Sequence, residues 1–332
     1  MRQGETAPKG AWIGNASGGV KAPEPIILPD PGLRFARTAE RLEQLADGHA
    51  AEGWLAFMAE VSRAQAAAAR PSTPRVPDQA AIAQAVAARI PPMAADGHRR
   101  DAVWRDGLAV LLESFDAMMF PPSAATAIAD LRRRDALEKE SLADAFLRGG
   151  VDAADAGVVF WIAAALQVHF TRLAATLPAA DLRLLERRDL CPCCGSTSSA
   201  SVVTVTGQTP GARYLYCSLC STAWNHTRAV CIVCGGSRTL SLRGVEGDSG
   251  LARAETCDEC RTYAKVFYEA KDPGVDAYAD DLATLGLDMM VARPVGPATR
   301  LIRCCWSDKS ADRFVRLWRW GARRHIVEPR SP

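Results

Sequence analysis

Apolar positions recur at spacings of three and four from Leu33 onward, with Leu42, Leu45, Trp54, Leu55, Met58 and Val61 on one face. That period predicts helices. Three prolines in ARPSTPRVPDQ (69–79) interrupt it. Further helices are expected over 79–90 and over 101–119, where Val103, Trp104, Leu108, Leu111, Leu112, Phe115 and Met119 share a broad face. Others are expected over 123–147 and 152–176, the last apolar nearly all round as a central buried helix would be. AADLRLLERR (179–188) fits a final turn or two. No strand-like alternation precedes residue 190.

The texture changes at Cys191. Short β-type runs follow, SVVTVT (201–206), RYLY (213–216) and RTLSL (238–242), punctuated by glycines. A strand over 262–268 and a helix over 278–290 complete the pattern. The expected fold class is α+β. An irregular arm (1–31) carries Ile26, Ile27 and Leu28 toward the body. A helical domain follows (32–190), then two cysteine modules (191–226 and 227–270), a closing helix (271–298) and a basic tail (299–332).

Of the eleven cysteines in the 332 residues, nine fall between 191 and 260. Eight form four C-x-x-C pairs: Cys191 with Cys194, Cys217 with Cys220, Cys231 with Cys234, and Cys257 with Cys260. Twenty-two residues separate the first pair from the second, and again the third from the fourth, so the region is an internal repeat. Two cysteines three apart in a tight turn aim both sulfurs at one centre, and two such turns give a tetrahedral S4 site. Thiolates in that geometry suit zinc or a single iron. Gly195 and Gly235 relieve the turns that precede them. The repeat favours sequential pairing of the C-x-x-C motifs; spacing alone does not exclude an interleaved arrangement. Cys193, inside the first motif, is a weak ligand candidate.

Composition narrows the function. With 48% hydrophobic and 23% charged residues, the chain builds a core without disulfides. The longest apolar run, Val158–Leu166, is about half of a membrane span. MRQGETAPKG lacks the apolar stretch of a secretory signal, so a cytoplasmic protein is expected, where stable disulfides are rare. Residues 191–260 hold five Arg, no Lys and five acidic residues, a sum of zero, which counts against nucleic acid as partner. Tyr214 and Tyr216 are therefore expected to pack and not to stack on bases. His169 is expected to be a satisfied core histidine, and His226 follows a complete thiolate set. Asp280 and Asp281 open a helix and are expected to act as cap or dipole partners, or as partner contacts. The run 132–134 is expected to be a solvated helix face. No phosphate loop, nucleophile elbow or paired carboxylate setting is present, so an enzyme is not expected.

The stretch CPCCGS…GARYLYCSLCSTAWNHTRAVCIVCG…AETCDECRTYAKVF…DAYADDLATLGLD resembles the formate dehydrogenase accessory protein family, FdhE. PIILPDP (25–31), RLEQLADGH (41–49) and AALQVHFTRLAATL (164–177) are also similar to it. The resemblance spans roughly residues 20–290. It implies a helical N-terminal domain joined to two rubredoxin-like modules. It also implies iron at two mononuclear sites held by Cys191, Cys194, Cys217, Cys220, Cys231, Cys234, Cys257 and Cys260, with zinc as the alternative. The implied partner is the catalytic subunit of a molybdenum-containing respiratory formate dehydrogenase, met in the cytoplasm as a maturation step; self-association is a further expectation. A rubredoxin-like electron carrier and a zinc-ribbon nucleic-acid binder are the alternative functions. Cys193 stands where the family has a small apolar residue. The tail, with Cys304, Cys305 and nine Lys or Arg against three acidic residues, matches nothing in it. A shifted reading frame or a basic amphipathic helix over 311–321 would explain that tail.

Overall fold

The computed structural model describes residues 22–70, 74–116, 121–206 and 209–295. The tail, with its expected helix, Cys304 and Cys305, lies outside them, as does Met119.

The chain enters as a short strand, β1 (Ile26–Ile27), then turns into α1 (Pro31–Ala46). Asp30 accepts a hydrogen bond from the Gly32 N–H at 2.8 Å, and Pro31 sits where a helix needs no N–H donor. α2 (Glu52–Ala68), α3 (Gln79–Ala87), α4 (Val103–Glu113), α5 (Pro122–Arg133), α6 (Ala136–Arg148) and α7 (Ala156–Ala175) follow. α7 is buried along nearly its whole length and is wrapped by α1, α2, α4, α5 and α6. It is the one helix among the described residues long and apolar enough to cross a membrane, and 78% of that window is buried inside the protein.

Three expectations of this half are corrected. The 123–147 helix is two helices, because Arg134 adopts extended backbone and Asp135 caps α6 through a reciprocal pair with Glu138. Residues 179–188 are turns and irregular chain, not helix. A strand does precede residue 190: Ile26 and Ile27 pair with Trp224 and Ala223, so two residues too few to show alternation are made β by their partner.

The second half supplies β2 (Ser198–Val203), β3 (Arg213–Cys217), β4 (Ala223–Asn225), β5 (Leu240–Arg243), β6 (Ala252–Cys257) and β7 (Thr262–Tyr268). With β1 they form one seven-stranded sheet in the order β1-β4-β3-β2-β7-β6-β5. Each cysteine module is an antiparallel unit, and the parallel pair β2–β7 joins them, with Val202 opposite Phe267. β2 starts and ends three residues earlier than expected. The single helix expected over 278–290 is α8 (Ala279–Ala283) and α9 (Leu285–Val295), separated at Thr284.

Two cores result. The larger runs from the helices into the first module, taking in Leu215, Leu219 and Trp224 beside α7 residues. The smaller lies between β2, β6, β7 and α9, around Phe267, Leu287 and Val291.

Candidate metal centres

Each C-x-x-C motif lies in a knuckle whose geometry repeats. In the first knuckle of each module, the glycine N–H returns to the first cysteine carbonyl: Gly195 to Cys191 at 2.9 Å and Gly235 to Cys231 at 3.0 Å. Both glycines are left-handed, at φ +75° and +74°, as such a return requires. In the second knuckles, Ser221 and Arg261 take the same conformation at φ +59° and +55°, although they carry side chains.

The knuckles bring the sulfurs into two groups, Cys191–Cys194–Cys217–Cys220 and Cys231–Cys234–Cys257–Cys260. Within each group the Sγ atoms all lie within 4.8 Å of one another. Cys191 faces Cys220 and Cys194 faces Cys217 at 3.4 Å each; Cys231 faces Cys260 and Cys234 faces Cys257 at 3.6 Å each. Sulfurs 2.3 Å from a tetrahedral ion stand roughly 3.8 Å apart, whereas a disulfide requires about 2.05 Å. Both groups therefore fit a four-coordinate thiolate site, and the motifs pair sequentially, not interleaved.

Hydrogen bonds aimed at the sulfurs complete the fit. The N–H groups of Leu219 and Cys220 donate to Cys217 Sγ at 3.4 Å. Thr262 Oγ1 stands 3.0 Å from Cys260 Sγ, where either atom can donate, whereas its repeat equivalent Thr222 Oγ1 accepts from Cys220 Sγ at 3.2 Å. These threonines were missed from sequence, although the shared C-x-T after each second knuckle was there to be seen. Burial pushes the Cys191 and Cys220 thiols up and Cys231 up to about 12. At Cys257 burial is outweighed by the Cys260 N–H and the Thr239 hydroxyl, which bring the thiol down to about 7. Binding an ion displaces these protons.

Cys193 is fully buried and stands outside the group of four; the neighbouring Cys191 and Cys220 thiols draw its own thiol down to about 5. Its carbonyl accepts from Met93 N at 3.0 Å, and that of Cys194 from Ala95 N at 2.9 Å, so the 93–95 loop seals this knuckle.

The remaining candidates are structural. Trp224 is fully buried and donates from Nε1 to the Arg188 carbonyl at 2.9 Å. Tyr214 is buried, and Tyr216 meets Tyr278 edge to face. His226 is buried and belongs to neither sulfur group; burial lowers its pKa. His169 is buried in α7 as expected, but neither ring nitrogen has a hydrogen-bond partner among the described residues, so it is not the satisfied core histidine the sequence suggested. Asp280 and Asp281 lie in the first turn of α8, where dipole partners were expected, and Asp280 also accepts from the Asp276 N–H at 2.8 Å, but both are buried. Asp280 takes Arg41 on both carboxylate oxygens, at 3.0 and 2.8 Å, and Asp281 lies 2.8 Å from Lys265 Nζ. Of the run 132–134, Arg132 and Arg133 pair at the surface, while Arg134 bridges Asp130 and Asp155.

Comparison with known proteins places the geometry. Family models match in three consecutive pieces: "FdhE, N-terminal" over 23–186, "FdhE, central domain" over 190–228, and "FdhE, C-terminal domain" over 229–296. A Protein FdhE homolog of Edwardsiella ictaluri is 36% identical over 273 residues, covering 82% of this chain and 88% of that protein. Protein FdhE of Escherichia coli K12 is 33% identical over 265 residues, covering 80% and 85%. The crystal structure of FdhE from Pseudomonas aeruginosa superposes with a TM-score of 0.76 at 32% identity, over 85% of this chain and 99% of that one.

Proposed function

The chain belongs to the FdhE family, and from that premise we propose that it is a formate dehydrogenase accessory protein that binds iron and acts on the immature catalytic subunit in the cytoplasm. The helical body and the cysteine modules together form the surface that holds the partner. Cys191, Cys194, Cys217 and Cys220 hold one iron; Cys231, Cys234, Cys257 and Cys260 hold the other. When bound, the ions cross-link two knuckles each, which stabilises modules too small to fold on their own cores. They also supply one-electron chemistry that zinc would not. The protein itself catalyses no reaction.

The observation that carries this reading is the pair of four-sulfur groups at tetrahedral spacing on a fold that superposes on FdhE. The helical body, which exceeds what a bare electron carrier needs, favours partner holding over electron carriage. The zero charge of 191–260 supports neither phosphate binding nor a nucleic-acid role.

The test is metal content with an optical spectrum on protein purified without oxygen, together with co-purification of the formate dehydrogenase catalytic subunit. Two irons per chain, with thiolate-to-iron bands that bleach on reduction, are expected, and Cys217→Ser and Cys231→Ser should each lose one. Two colourless zincs, after excluding replacement during expression, would overturn the iron assignment. A wild-type chain that leaves the catalytic subunit unbound would overturn the partner.

A further inference from the structure

The two sulfur groups repeat each other in sequence and spacing, but their surroundings differ. Cys191, Cys194, Cys217 and Cys220 are all at most 1% exposed and belong to the large core. In the second group Cys231 and Cys257 are buried, Cys260 is half-buried and Cys234 is exposed.

The cause is visible at the equivalent glycines. A Cβ built on Gly195 would meet Pro91 at 3.2 Å, because the loop that receives the Cys193 and Cys194 carbonyls lies over that knuckle. A Cβ on Gly235 would meet nothing within 4 Å. Two surface depressions of about 320 and 610 Å³ touch at Gly235. Arg187, His226 and Val233 help line the first, and Arg238 and Glu259 the second. Cys234 is in the wall of the smaller one. Gly236, two residues past Cys234, has only a flexible side chain over it: a methyl there would stand 3.4 Å from Cys234 Sγ and against the Glu259 carboxylate.

Thiolate sites exchange their ion when an incoming donor reaches the ion while one sulfur lets go. That needs free space beside a sulfur. Space of this kind lies at Cys234, and the first group is enclosed. Accepting that both groups hold a metal, as proposed above, we infer that the second group is an exchange centre and the first a sealed one. Cys234 is the thiolate displaced first, and the entering donor is a thiol small enough for the depression. Each sulfur–metal bond broken is replaced by a bond from the incoming thiolate to the ion, and the proton that this thiol gives up passes to the freed cysteine. The sulfur count at the ion is unchanged, and nothing is oxidised or reduced.

The full chain loaded with two zinc ions tests this. A chromophoric chelator should remove one ion at least tenfold faster than the other. Glutathione should accelerate the fast phase alone; if a short cysteine peptide does so and glutathione does not, the acceptor is a protein thiol and not a free one. N-ethylmaleimide with peptide mapping should label Cys234 before any cysteine of the first group. Gly236→Ala, which needs only the flexible end of Glu259 to move, should slow the fast phase severalfold and leave the slow phase alone. Two ions leaving at one rate, earlier labelling in the first group, a fast phase indifferent to both thiols, or a fast phase unchanged in Gly236→Ala would overturn the inference. A chain that binds fewer than two ions would overturn the metal reading itself and this one with it.

Discussion

The threonine hydroxyl beside the last cysteine of each module is the smallest feature with a measurable consequence. A thiolate ligand keeps its negative charge more easily when a donor points at it, and outer-shell donors of this kind typically carry 10–100-fold in metal affinity. Thr262→Val should therefore weaken the second site by about that factor with the fold retained, whereas Thr222→Val, which removes an acceptor from Cys220 Sγ and not a donor to it, should change the first site less. Competition with a chelator of known affinity measures both. His169 has a different signature. Burial lowers its pKa to about 4; Asp101 opposes the shift, and His98, Arg100 and Arg172 reinforce it. The native state thus refuses a proton that the unfolded chain accepts below its ordinary value near 6.5. Stability is intact above that value and declines as pH falls from about 6.5 toward 4, by about 2 kcal/mol at pH 5. His169→Phe should flatten this decline in urea titrations run at pH 7 and pH 5.

Between elements, the ties are buried ion pairs. Arg41 of α1 reaches Asp280 of α8 with both groups nearly sealed, their side chains 10% and 2% exposed. Lys265 of β7 holds Asp281 and Asp288 across α8 and α9. Removing one partner of a buried pair leaves an uncompensated charge and costs about 3–5 kcal/mol, whereas replacing both by apolar groups can be neutral. Arg41→Ala should lower stability by about that amount, and Arg41→Met with Asp280→Leu should recover most of it in denaturant melts. None of this was legible in the sequence, because a lone Arg in an amphipathic helix says nothing about an aspartate over 200 residues away. Local rules place Asp280 and Asp281 in the first turn of the helix they begin, as cap or dipole partners, but do not reach Arg41 or Lys265. Local patterns served better where the signal was local. The apolar period marks the helical run that holds α1 and α2, though not the break between them; α7 follows from its all-round apolarity, and β7 lies where its β-branched and aromatic run put it. The break at Arg134–Asp135 was missed because apolar spacing continued across it and the D-x-x-E of Asp135 and Glu138 was not read as a cap. The eight cysteines were legible as two groups because spacing is itself geometry. Their unequal exposure was not, since Pro91 and the 93–95 loop are remote in sequence from the knuckle they cover.

At the scale of the molecule, one sheet runs through both modules, but the two sulfur groups sit in different mechanical settings. The first lies in the core shared with α2, α4 and α7. The second lies beyond β6 and is held to the rest through β7, α9 and the buried Arg213–Glu255 pair between β3 and β6. Loss of metal should therefore spread differently. An empty first site leaves buried sulfurs without their ion in the core shared with the helices, so Cys217→Ser should lower the melting temperature of the whole chain. An empty second site loosens a unit with a small core and exposed β5, so Cys257→Ser should be a local lesion. Hydrogen exchange reads the difference, because local and global openings expose different amides. Cys217→Ser should speed exchange in α7 as well as β3, while Cys257→Ser should speed it in β5 and β6 and leave α7 protected. Equal loss of α7 protection in both variants would mean that the sheet transmits disruption as rigidly as the helical core does, and the seal around the first site would then have no mechanical counterpart.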